Sequence, residues 1–114
     1  MDSDCTFCKI GSGEVASEVI YRDSHCFAIR DISPKAPVHF LVIPNEHFTH
    51  LSGLTPGHGT MVGAMLLAAE EIAVREGIGE SGYRLVINQR DDSGQMVDHL
   101  HIHVLGGHRL GGMA

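Results

Sequence analysis

His99-Leu100-His101-Ile102-His103-Val104-Leu105-Gly106-Gly107 carries three imidazoles at every second position, with Leu100, Ile102 and Val104 at the opposite phase. A strand sends alternate side chains to opposite faces. The spacing therefore predicts a strand over Asp98–Leu105 whose aliphatic side enters a core while the histidines line one rim, neighbours roughly 6.5–7 Å apart. Imidazole nitrogens gathered in this way suit a phosphate, which accepts hydrogen bonds from imidazolium and is open to attack by a neutral ring nitrogen; they also suit a transition metal. Burying them together without such a task would be costly.

Working outward, Arg84–Asn88 reads as the strand before the histidines, with the polar loop Gln89-Arg90-Asp91-Asp92-Ser93-Gly94-Gln95 between the two. The nearly continuous apolar run His39-Phe40-Leu41-Val42-Ile43, ended by Pro44, predicts a central strand. The proline-stiffened loop Ile32-Ser33-Pro34-Lys35-Ala36-Pro37 leads into it. Earlier still, Glu18–Tyr21 and Cys26–Arg30 form a hairpin about the polar turn Arg22-Asp23-Ser24-His25. Thr55-Pro56 supplies a cap and a first-turn proline for a long helix through Met61, Met65, Ala68 and Ile72 to about Glu76, where Gly77 and Gly79 stop it. Between Thr60 and Arg75 the only charges are Glu70 and Glu71. Apolar residues thus wrap much of that helix, more than one sheet face covers, and a partner subunit is the natural cover.

At 114 residues the chain fits one domain, residues 1–114, with a single modest core. Eight Lys and Arg against fourteen Asp and Glu leave a net charge of −6 without a basic block, so neither nucleic acid nor an anionic membrane is an expected partner. The acidic start Met1-Asp2-Ser3-Asp4-Cys5 lacks a basic region followed by an apolar run, and a cytoplasmic protein is expected. Cys5 and Cys8 stand in a Cys-x-x-Cys pair, which in a reducing compartment indicates metal or redox chemistry before a structural disulfide. Cys26, among apolar residues, reads as a buried small side chain.

The alternation of histidines, together with Asp31-Ile32-Ser33-Pro34-Lys35-Ala36-Pro37-Val38-His39-Phe40-Leu41-Val42-Ile43-Pro44 and Tyr83-Arg84-Leu85-Val86-Ile87-Asn88, resembles the histidine triad nucleotide-binding proteins over nearly the whole chain. The Val104-Leu105-Gly106-Gly107 ending is similar to the branch that hydrolyses nucleoside phosphoramidates. The resemblance implies an α+β fold, an antiparallel sheet of about five strands with one long and one short helix, paired into a homodimer with a continuous sheet. It implies that His101 attacks the α-phosphorus of a purine nucleotide such as an AMP phosphoramidate, giving a nucleotidyl-histidine that water hydrolyses. His103, Asn88 and the Gly94-Gln95 backbone would hold the phosphate oxygens, and His39 would orient the triad. Asp31 matches the ribose-binding position, and Phe7, Ile10, Ile29 and Leu41 match the walls of the base pocket. Met96 and Val97 complete the nucleotide-binding set. Many members of this branch carry a serine at the position of Met96. A thioether cannot donate a proton, so an altered leaving-group preference follows.

A closed zinc site needs two ligands beyond Cys5 and Cys8, and His47 and His99 are the best placed, with His50 competing for the third position. Similar family members with the same cysteine pair hold zinc there together with the first triad histidine. His99 would then serve structure and leave His101 and His103 for phosphate. Two other readings stand beside the phosphoramidase: a nucleotide-binding or zinc-binding regulatory dimer with slow chemistry, and a dinucleoside polyphosphate hydrolase. The latter needs more cations than Arg90 and Arg109 along its phosphate track.

Overall fold

In the computed structural model, residues 5–113 are described, so the acidic start at Met1–Asp4 lies outside the described residues. Five antiparallel strands form one sheet in the order β1-β2-β3-β5-β4, where β1 is Val19–Arg22, β2 Cys26–Arg30, β3 Val38–Pro44, β4 Tyr83–Val86 and β5 Ile102–Gly106. The central strand is β3, as its unbroken apolar run predicts. It pairs Leu41 with His103 and Val42 with Ile102.

Alternation along these strands divides the core between the two sheet faces. Cys26, Ala28, Phe40, Val42, Ile102 and Val104 meet Met61, Met65, Ala68, Ala69 and Ile72 of the long helix α2, Gly59–Arg75. On the other face Phe27, Ile29, Leu41 and Ile43 meet Phe7, Cys8 and Ile10 of the short helix α1, Thr6–Ser12. Each fully buried Ile, Phe or Met contributes roughly 1.5–3 kcal/mol through removal from water. The Cys5 thiol caps α1 by accepting from the Cys8 amide at 3.2 Å, and Gly13 ends it at φ 85°. Cys26 is buried, as expected.

Three local differences from the sequence reading have physical causes. The histidine strand begins at Ile102, three residues beyond His99; the Leu100 amide that would continue the ladder donates to the Phe48 carbonyl, and the Pro44 carbonyl accepts from the His99 ring. His99 and His101 are accordingly buried beneath α1, with a ring separation of 4.9 Å between His101 and His103, and do not stand along an open rim. The long helix begins with a 3-10 turn, Pro56–His58, before α2; the Thr55 amide donates to His58 Nδ1 at 2.9 Å. Within the expected polar loop, Arg90–Ser93 forms a single helical turn, α3, entered through Arg90 at φ 65°.

Candidate functional site

A cleft of about 700 Å³ opens on the α1 face of the sheet. Its apolar wall is Phe7, Ile10, Ile29 and Leu41, and its polar end holds Asp31, His39, His101, His103 and Asn88. Gly94, Met96 and Val97 close it from the loop before β5. Gln95 and His99 stand off the lining. The Gln95 side chain instead braces the loop, its Nε2 donating to Thr49 O at 3.0 Å and Val97 O at 3.2 Å and its Oε1 accepting from the Arg90 amide at 2.7 Å. Among the described residues, the cations of the lining are Arg30 and Lys35, and Arg30 is held by Glu18 and Glu76.

Backbone contacts assign different proton positions to His101 and His103, the two triad residues that line the cleft. His101 Nδ1 lies 2.7 Å from the carbonyl of His99, an acceptor only, so Nδ1 carries the ring proton and Nε2 presents a lone pair. The Lys35 amide donates to His39 Nδ1 at 3.0 Å, which leaves the proton of a neutral His39 on Nε2. That Nε2 donates to His103 Nδ1 at 2.9 Å, so a neutral His103 keeps its proton on Nε2. One ring thereby presents a lone pair and its neighbour an N–H donor. Burial lowers the pKa of His39, His101 and His103, that of His103 to about 4, with His101 and His39 adding repulsion there. Neutral rings at neutral pH follow. Asp31 accepts from the Ser33 amide at 2.8 Å through Oδ1 and holds Oδ2 3.4 Å from His39 Nε2. It is both a turn residue and a carboxylate facing the cleft.

Behind the cleft, Cys5, Cys8, His47 and His99 bring their ligand atoms within 4.8 Å of one another. Cys5 Sγ is 3.1 Å from His99 Nδ1, and Cys8 Sγ is 3.2 Å from His47 Nδ1 and 3.5 Å from His99 Nδ1. A tetrahedral zinc with bonds of about 2.0–2.3 Å sets its ligands about 3.3–3.8 Å apart, close to these separations. The outer contacts fit as well. His99 Nε2 donates to Pro44 O at 3.1 Å, so its Nδ1 offers a lone pair to the centre; His47 Nε2 faces Thr49 Oγ1 at 3.4 Å, a hydroxyl able to accept its proton when Nδ1 binds a metal. His50 is not part of this group; it precedes the 3-10 turn Leu51–Gly53. Burial lowers the His99 pKa to about 4, which favours the unprotonated ligand.

A second cluster, Asp31, His39 and His103, also has a ligand set of the right elements. It fits a metal poorly. Coordination by His39 Nε2 would move the ring proton to Nδ1, directly against the Lys35 amide hydrogen.

Most of the residues singled out in the sequence therefore meet in two adjoining centres. What sequence reasoning missed is the Lys35 amide, the Thr49 hydroxyl and the walls Val86 and Leu105. The first acts through its main chain, so its residue type carries no signal. Val86 and Leu105 alternate toward the cleft and were legible as strand residues, not as lining.

The family model described as HIT domain matches residues 12–110. Purine nucleoside phosphoramidase of Escherichia coli is 42% identical over 113 residues, covering 99% of this chain and 95% of that protein. A histidine triad protein from Clostridium difficile superposes with a TM-score of 0.94 at 35% identity, covering 100% of this chain and 99% of the other. A zinc-bound histidine triad family protein from Mycobacterium smegmatis superposes with a TM-score of 0.77 at 35% identity, covering 90% of this chain and 73% of the other.

Proposed function

This chain belongs to the HIT domain family, and from that premise we propose that it hydrolyses purine nucleoside 5′-phosphoramidates, with His101 as the nucleophile. The observation that carries the reading is the pairing of proton positions: a bare Nε2 on His101, set by the His99 carbonyl directly, beside a protonated Nε2 on His103, set by the Lys35 amide through His39. The Escherichia coli relative, a purine nucleoside phosphoramidase, supports the same substrate class.

The base lies against Phe7, Ile10, Ile29 and Leu41, and the ribose hydroxyls meet the Asp31 carboxylate. His101 Nε2 attacks the α-phosphorus, forming a phosphorus–nitrogen bond as the bond to the amine breaks, and the amine nitrogen takes a proton from solvent as it departs. Water then attacks the nucleotidyl-histidine and returns a proton to solvent, the nucleoside monophosphate leaves, and His101 recovers its lone pair. His103, Asn88 and the main chain at Gly94-Gln95 stabilise the charge on the phosphate oxygens during both transfers. His39 holds His103 in the donating form. His99 contributes its carbonyl to His101 and its ring to the metal centre. Met96, 93% exposed at the mouth, meets the leaving group.

Cys5, Cys8, His47 and His99 would hold zinc, which supplies structural cross-linking there and no step of the reaction. A homodimer covers what the protomer leaves open. Leu66, Leu67 and Val74 are exposed along α2 beside the edge strand β4, to which the helix is tied by the Tyr83 hydroxyl donating to Glu70. Pairing two such edges continues the sheet.

The deciding experiment follows amine release from an adenosine phosphoramidate with a primary amine. Release by the wild type and none by His101→Ala is expected. Equal release by both, or none by either while AMP still binds, would refute the enzyme reading; the latter would leave a nucleotide-binding protein.

A further inference from the structure

Each of the three segments that converge on the Cys5-Cys8-His47-His99 centre also carries a group of the nucleotide cleft. Helix α1 brings Cys8 to the centre and Phe7 and Ile10 to the cleft wall, and the Phe7 ring stands edge-on to both His99 and His101, at 5.9 and 5.1 Å. The segment before β5 gives the His99 ring to the centre and the His99 carbonyl to His101, at 2.7 Å. The segment after β3 gives His47 to the centre, and two residues later Thr49 both faces His47 through its hydroxyl and accepts Gln95 through its carbonyl, bracing the loop of Gly94 and Met96. No described segment of the centre is independent of the cleft.

We propose that this centre is a clamp that assembles the nucleotide cleft, so that metal binding and nucleotide binding are positively linked. The inference rests on the nucleotide reading above. Without a metal, α1 is held near the strands by its apolar contacts, by the Arg22 guanidinium donating to the Gly11 carbonyl at 3.1 Å and by the thiol–imidazole contacts of Cys5 and Cys8. Seven residues of helix are too few to persist by themselves, and the base wall and the carbonyl that orients His101 loosen together. Linkage is reciprocal: whatever factor the metal adds to nucleotide affinity, the nucleotide adds to metal affinity. Cys5, Cys8 and His47 are positioning residues for a ligand they do not touch.

The test uses AMP and two metal probes on the whole chain under reducing conditions. Calorimetry of AMP binding to the zinc-loaded and chelator-stripped protein is expected to give a Kd about tenfold or more lower with zinc, with zinc affinity rising by the same factor in saturating AMP. Circular dichroism reports whether the stripped protein is folded. If it is not, a second arm decides: the protein loaded with cadmium-113 is expected to show a metal resonance that moves on AMP saturation, because His47 and His99 shift with the cleft. Equal Kd values in a folded stripped protein, or a cadmium resonance that AMP leaves in place, would overturn the linkage while sparing the nucleotide reading. Absence of AMP binding to the zinc-loaded protein would overturn both.

Discussion

His101 and His103 are chemically identical side chains two positions apart, yet their surroundings assign their protons to different ring nitrogens, Nδ1 and Nε2. The difference comes from single main-chain groups, the His99 carbonyl and, through His39, the Lys35 amide. His39→Ala frees His103 to take either tautomer, and kcat is expected to fall about 10²-fold with a smaller effect on KM, read by steady-state amine release. Substrate binding lost in proportion to rate would assign His39 to the pocket wall instead. Met96 has no hydroxyl to offer a departing amine. Met96→Ser is expected to raise the rate most for poor amine leaving groups, and a uniform change across an amine series would remove Met96 from leaving-group selection.

Among the elements, β5 shows why the histidine run ends in two glycines. A Cβ on Gly106 would lie 2.8 Å from Ile78 Cδ1 and 3.1 Å from the Gly82 carbonyl, and Gly107 sits at φ 101° with Pro37 beside it. The strand is thus pressed against the turn after α2. Gly106→Ala is expected to cost about 1–3 kcal/mol of stability in urea unfolding, since the Gly82 backbone has little freedom to retreat. An unchanged midpoint would mean that this turn relaxes. For α2, Leu67 is 73% exposed on the face proposed to meet the partner. Leu67→Glu is expected to shift the sedimentation mass toward the monomer without loss of helicity by circular dichroism. A dimer of unaltered strength would place the interface elsewhere.

On the scale of the whole molecule, the buried histidines tie stability to pH. His39, His99, His101 and His103 all have folded pKa values below the ordinary 6.5, those of His99 and His103 near 4, chiefly through burial. Their neutral forms favour the fold fully above pH 6.5; below it the unfolded chain takes up protons that the folded one refuses. Stability is therefore expected to fall on acidification from about pH 7 toward pH 5, by up to about 1.4 kcal/mol per pH unit for each histidine on its slope. Urea midpoints across this range measure it. A flat profile would mean that these rings are as easily protonated in the folded protein as in the unfolded chain.

Composition and period alone determined a great deal of this protein. The apolar run at 39–43, the alternation at 99–104 and the capped helix ending before Gly77 identify the central strand, the triad strand and α2, because each signal is local and repeats within its own element. The Cys-x-x-Cys pair and its histidine partners were legible from spacing and resemblance. The sequence already favoured His47; only the tertiary structure set His50 outside the group, buried His99 and His101 under α1, and drew Gln95 away from the cleft lining to brace the loop that lines it. It alone decided which nitrogen of each imidazole carries the proton. That choice rests on main-chain groups of Lys35 and His99, and main-chain groups are the same in every residue; what distinguishes them is where the chain brings them, which no local pattern encodes.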